Sequence, residues 1–213
     1  MAALTCQCGA VEIEFFTGND VFRLQCCCHD CTAALWYANN RGGPTLPPYQ
    51  CLDSSYLPND FEIRRGQAKV GAFQNFVNAN TTRFYCTDCW TVLFGDHPKY
   101  NTQLVVTQVG NFIGAQYLTD VDLMPLQARH FLRDLSAEKR AVLPPWRGDP
   151  AHVYEGPAEI LVNQWPALRA AGRKGGKMNA QRLLENIGSP FVPVNEPRLC
   201  DESPTYRQKN GNR

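Results

Sequence analysis

The chain has 213 residues, a net charge of +1 at neutral pH and 44% hydrophobic residues. That length supports a sizeable core without covalent staples. The near-balanced charge gives no chain-wide basic face for nucleic acid or an anionic membrane, and no apolar run approaches the roughly 20 residues a bilayer crossing needs.

From the amino terminus, Thr5 to Cys8 opens a knuckle, and Val11, Ile13 and Phe15 then alternate with Glu12 and Glu14, which predicts a half-buried strand. Val21 to Cys26 reads as a second strand leading into a cysteine-rich turn. The Gly- and Pro-rich stretch 41–59 reads as a long loop. Phe61 to Ile63 and Val70 to Val77 are strand-like, joined by a turn at Gly66, and Thr81 to Tyr85 leads into Cys86-Thr87-Asp88-Cys89. Leu104 to Val109 and Gln127 to Leu132 complete the strand candidates. Short strands between turns predict a mainly β body over 1–148. Beyond Pro144-Pro145-Trp146 the composition changes, and an extension over 149–213 is expected. It is helical in character over Pro157 to Ala171 and Asn179 to Ile187, basic over Arg169 to Lys177, and irregular from 188 onward.

Ten cysteines is the unusual number. The first residues, Met1 to Cys6, lack the basic and long apolar regions of a secretory signal. A soluble cytoplasmic protein is expected, in which close-set thiols are metal ligands rather than a disulfide framework. Cys26, Cys27 and Cys28 are consecutive, and Cys6 and Cys8 are separated by one residue, so several are too close to be mutual disulfide partners. In a strand, residues i and i+2 share a face, so Cys6-Gln7-Cys8 aims both sulfurs at one ion. A C-x-x-C turn curls the backbone to the same end. One ribbon built from Cys28-x-x-Cys31 and Cys86-x-x-Cys89 does not fit, because such pairs normally lie about 15–20 residues apart. The simpler partition is a closed four-thiolate structural zinc on Cys6, Cys8, Cys86 and Cys89. A three-thiolate zinc on Cys26, Cys28 and Cys31 would keep an open position, the usual form of catalytic zinc.

These motifs carry a resemblance. Cys6-Gln7-Cys8-Gly9, then Cys26-Cys27-Cys28-His29-Asp30-Cys31, then Cys86-Thr87-Asp88-Cys89-Trp90-Thr91-Val92-Leu93-Phe94 resemble the signature of the glutathione-dependent formaldehyde-activating enzymes, a family that includes centromere protein V-like members. The resemblance covers roughly residues 4–148. It implies the family's β-tent fold, the same division of two zinc sites, and glutathione as co-substrate. Two positions and one stretch depart from the pattern. Cys27 stands where the family has His, Trp90 where it has Gly, and the bulky stretch Thr32 to Tyr37 where it has small polar residues.

The expected activity is that of a carbon–sulfur lyase or synthase. A thiol such as glutathione would add to formaldehyde or a larger electrophile beside Cys26, Cys28 and Cys31. His29 and Asp30 are candidate acid or base residues. Arg23, Arg41 and Arg83 are candidate partners for the glutathione carboxylates. Cys27 should face away from its neighbours as a packed or redox-sensitive thiol. Cys51 and Cys200 read as lone cysteines, and His97, His130 and His152 as ordinary histidines. Two other readings stand beside this one: a zinc-stapled scaffold that binds a protein partner, and a metal-free redox role for Cys26 to Cys31. The oligomeric state is left open.

Overall fold

A computed structural model of the chain describes residues 2–16, 22–46, 51–111, 126–170 and 177–193. The alternation of residues 11–15 does what its period dictates. Ile13 and Phe15 on β2 (Glu12–Phe15) are fully buried, while Glu12 and Glu14 turn outward to Arg65 and Arg64 of β5 (Phe61–Arg65). With β1 (Ala2–Thr5) these form a three-stranded antiparallel sheet in the order β1-β2-β5.

The larger sheet has seven strands in the order β10-β3-β4-β9-β8-β7-β6. They are β3 (Phe22–Cys26), β4 (Leu52–Pro58), β6 (Val70–Phe73), β7 (Thr82–Cys86), β8 (Val92–Asp96), β9 (Leu104–Gln108) and β10 (Ala128–His130). Every pairing is antiparallel except that of β10 with β3. One face of this sheet packs on the small one through Leu4, Ile13, Phe15, Leu57, Phe61, Phe84, Leu93, Phe94 and Val105. At its centre Phe84 stacks on Phe94 at 4.6 Å, and Phe61 lies 5.3 Å from Phe94 and 5.1 Å from Phe15. Burying each of these rings contributes about 2–3 kcal/mol. A second core, with Phe22, Leu24, Cys26, Leu52, Tyr56, Leu104 and Ala128, is closed by Ala158 and Leu161.

The protein is thus mainly β with a short helical part, and two segments differ from expectation. The stretch 41–59, expected as one loop, contains β4, which is paired on both sides by β3 and β9. Asp53, Ser54, Ser55 and Pro58 are poor strand formers, but a central ladder overrides propensity. Pro58 sits at the strand end, where a missing N–H costs least. The second difference is helix α1 (His29–Asn39), where only a cysteine-rich turn was expected. The alanines and leucine after Cys31 are good helix formers, and Cys28 caps the helix by accepting the Cys31 N–H on its sulfur. Three more α-helices follow among the described residues: α2 (Ala137–Ala141), α3 (Glu159–Ala170) and α4 (Ala180–Ile187). No helix among the described residues is long and apolar enough to cross a membrane.

The segment after 148 docks on sheet edges that would otherwise be open. Met178 exchanges both backbone hydrogen bonds with Phe61, and Phe191 bridges Ala72 and Gln74. Ala180 and Leu183 of α4 enter the first core, and Asn59 accepts the Ala180 N–H at 2.7 Å. Gln181 donates to Asp96 Oδ2 at 2.7 Å, while Asp96 Oδ1 is buried with no partner among the described residues. Burial raises the Asp96 pKa above its ordinary value. A raised carboxyl costs stability above its folded pKa, and that cost is relieved as pH falls through this value toward the unfolded one. Asp96→Asn should therefore gain on the wild type as pH rises from the acid range to neutrality, then run parallel to it. Urea midpoints measured across pH check this. The tail from 194, with Cys200, and residues 171–176 of the basic run lie outside the described residues.

Candidate metal centres

Cys6, Cys8, Cys86 and Cys89 converge, with all four sulfurs within 4.8 Å of one another. Two knuckles of like form bring them there. Cys6 N–H bonds to Val11 O and Gly9 N–H to Cys6 O; Cys86 N–H bonds to Thr91 O and Trp90 N–H to Cys86 O. Each knuckle needs a left-handed residue, Gly9 at φ 71° in the first and Trp90 at φ 55° in the second. The Gln7 N–H donates to Thr91 Oγ1 at 3.0 Å and ties the knuckles together. Gly66, also left-handed, lies so close that a Cβ there would stand 2.0 Å from Ala10 O. This glycine lets the β5–β6 turn press on the first knuckle.

A tetrahedral zinc with bonds of about 2.3 Å to sulfur spaces its ligands about 3.8 Å apart. The Cys6–Cys8 and Cys8–Cys86 sulfurs are 3.5 and 3.9 Å apart, so the donor set fits such an ion. The thiols are also electrostatically unequal without a cation. Burial pushes Cys86 up to about 12. Cys89 is brought down to about 6: burial opposes the shift, but hydrogen bonds from Thr91 and Cys8 outweigh it.

Trp90 pays a left-handed backbone cost of about 1–2 kcal/mol. Its ring stacks on Tyr85 at 4.6 Å and meets Tyr37 edge-on at 5.8 Å, and the Arg41 guanidinium lies 5.3 Å from it. Truncating large aromatic side chains costs about 3–5 kcal/mol when they are buried, and Trp90 is half-buried. The ring loss outweighs the relief, so Trp90→Gly should lower stability by about 1 kcal/mol net. Thermal denaturation measures it, and an increase in stability would contradict this accounting.

Cys26, Cys28 and Cys31 form the second cluster, again with their sulfurs within 4.8 Å of one another. Among the described residues no fourth Cys, His, Asp or Glu joins it. Cys26 ends β3, while Cys28 caps α1 and Cys31 lies in its first turn. First-turn N–H groups and the positive end of the helix favour negative charge on these sulfurs. Hydrogen bonds from Cys26 and Cys28 pull Cys31 down, and the same bonding with burial pushes Cys26 up. Three thiols sharing charge in this way are suited to a dication, which would leave the site at −1.

The other expected site residues are engaged by partners outside the three cysteines. Asp30 lies in the first turn of α1 and pairs with Arg83 at 2.6 Å. It also accepts from Asn75 at 2.7 Å and Thr81 at 3.3 Å. The Arg83 side chain is 4% exposed and interacts electrostatically with Cys31. His29 opens α1, and its backbone N–H donates to Asp134 at 3.1 Å. Arg23 binds Asp53 across β3 and β4, with Nε at 2.8 Å. Arg41 lies over the Tyr37 ring at 3.6 Å.

Three residues near the second cluster were not singled out as site residues from sequence. Tyr56 is buried and Tyr100 half-buried; their rings meet edge-to-face at 5.7 Å, and both interact electrostatically with Cys31. His130 stands beside Cys26 in the β10–β3 register and is 3% exposed. Its Nδ1 accepts the Ala158 N–H at 3.3 Å, which places the proton of the neutral ring on Nε2. That nitrogen is buried with no hydrogen-bond partner among the described residues. Burial lowers the His130 pKa to about 4, with Cys31 nearby opposing the shift. No local spacing marks His130, because a parallel pairing between distant segments brings it in. Cys51, expected as a lone cysteine, lies against Cys27 with its sulfur at 2.8 Å.

No protein-family model matches the chain, and no curated protein matches it. Among solved structures, a Rhodobacter sphaeroides protein determined as a structural-genomics target is similar at 20% identity and a TM-score of 0.38. The match covers 58% of this chain and 96% of that one.

Proposed function

We propose that this chain is a zinc-dependent carbon–sulfur lyase or synthase of the glutathione-dependent formaldehyde-activating type, acting in the cytoplasm. It joins or separates a small thiol and formaldehyde or a larger electrophile. The observation that carries this reading is the inequality of the two clusters, four sulfurs at the knuckles and three at the start of α1. A zinc held by Cys26, Cys28 and Cys31 would supply a Lewis acid that keeps a thiol deprotonated at neutral pH.

The chain's own residues set the rest of the chemistry. Forming the adduct makes a sulfur–carbon bond, turns the carbonyl into a hydroxyl, and moves the thiol's proton to that oxygen. The buried Nε2–H of His130 is a donor without an acceptor among the described residues, suited to holding a proton at the carbonyl oxygen. Tyr56 and the half-buried Tyr100 pack in the same core as the three cysteines and give that side of the cluster an apolar lining. Asp30 is committed to Arg83, so it fixes charge and helix position rather than moving a proton.

Exchange NMR on glutathione and isotope-labelled formaldehyde tests the proposal. Wild type should speed exchange between free and hydroxymethylated thiol. Cys28→Ser should return it to the uncatalysed rate, and His130→Ala should lower the catalysed rate on the order of 10²-fold. An uncatalysed rate with wild type overturns the lyase reading and favours a metal-stabilised scaffold for a protein partner.

A further inference from the structure

Cys27 and Cys51 occupy a compartment of their own. Cys26 and Leu52 are opposite one another at the last paired position of β3 and β4, so Cys27 and Cys51 meet one step beyond it. Cys27 belongs to a small cluster with Cys51 and Leu135, flanked by Leu132 and Leu143. Cys26 belongs to the second core. The period-two alternation therefore sends consecutive thiols to different sites.

The two sulfurs are 2.8 Å apart, and the residues are 1% and 2% exposed. That separation is well below the ~3.8 Å between two ligands of one tetrahedral zinc. It also lies inside the 3.5–4.0 Å or so at which non-bonded carbons rest. Residues directly opposite in an antiparallel pair have Cα atoms about 4.5–5.5 Å apart. This falls within the roughly 4.4–6.8 Å that a disulfide spans. Closure to a bond of about 2.05 Å asks for a sulfur movement of roughly 0.8 Å.

We propose that Cys27 and Cys51 form a redox-active dithiol, a modification site separate from both metal clusters, which hydrogen peroxide closes to an intramolecular disulfide. The thiols give up two protons and two electrons as the sulfur–sulfur bond forms. The peroxide O–O bond breaks, and two waters leave. A small dithiol reductant reverses the bond and leaves as its own cyclic disulfide. The bond ties the start of β4 to the segment between Cys26 and Cys28. The proposal does not depend on catalysis at the three-cysteine cluster.

The test treats the full chain, as purified, with peroxide and then alkylates it after denaturation. Wild type should lose two hydrogens and two alkylatable thiols, give a peptide cross-linked through Cys27 and Cys51, keep its zinc, and recover with dithiothreitol. Cys27→Ser and Cys51→Ser, made separately, should each abolish that mass change. Added oxygen atoms at Cys27 or Cys51, an unchanged mass, or cross-links among Cys26, Cys28 and Cys31 with release of zinc would overturn the proposal.

Discussion

Cys86→Ser should give a chain that no longer folds cooperatively. Cys86 is fully buried at the end of β7 and belongs to the same core as Leu4, Val11 and Phe94. The cluster it completes joins the β1–β2 knuckle to the β7–β8 knuckle, and so fastens the small sheet to the large one. Structural zinc in small domains supplies an apparent 10–16 kcal/mol or so. That matches or exceeds the entire net stability of a typical domain, about 5–15 kcal/mol. Serine is a poor zinc ligand and leaves a buried hydroxyl behind. Near-ultraviolet circular dichroism and sedimentation check the outcome. A native spectrum with a wild-type melting midpoint would show that this cluster does not hold the fold.

The second large effect is expected at Asp30. Arg83 donates to Asp30 Oδ2 at 2.6 Å and to the Asp30 backbone oxygen at 3.1 Å, and its side chain is only 4% exposed. Removing one partner of a buried pair typically costs about 3–5 kcal/mol, because the remaining charge is left without compensation. The Asp30 side chain is 40% exposed, so water reaches the gap and the loss should sit at the lower end, about 3 kcal/mol. Asp30→Ala with Arg83→Met replaces the charge with apolar volume and should recover most of it. Urea denaturation of the single and double variants measures both. If the double variant is no better than Asp30→Ala alone, the stranded guanidinium is not the cause.

How much of this was legible in the sequence depended on whether the signal was local. Ile13 and Phe15 against Glu12 and Glu14 gave β2 directly, since period-two alternation records one buried face. The grouping of cysteines followed from spacing, because C-x-C and C-x-x-C constrain where sulfurs can point. β4 was hidden because its strand state comes from neighbours on both sides rather than from Asp53, Ser54 or Ser55. α1 was hidden because its cap is a cysteine, and the same residues read equally well as a metal turn. Cys51 and His130 had no local mark at all. One meets Cys27 through antiparallel register and the other stands beside Cys26 through a parallel pairing, and neither register can be read from a single segment.

The proposed function requires a closed zinc on the four-cysteine cluster and a ligand-accepting zinc on the three-cysteine cluster. Elemental analysis of zinc in purified wild type and Cys28→Ser, with circular dichroism on the same samples, tests this most directly. About two zinc ions per chain should fall to about one, with the folded spectrum kept. Loss of both ions together with the fold, or a wild type holding fewer than two, would contradict it.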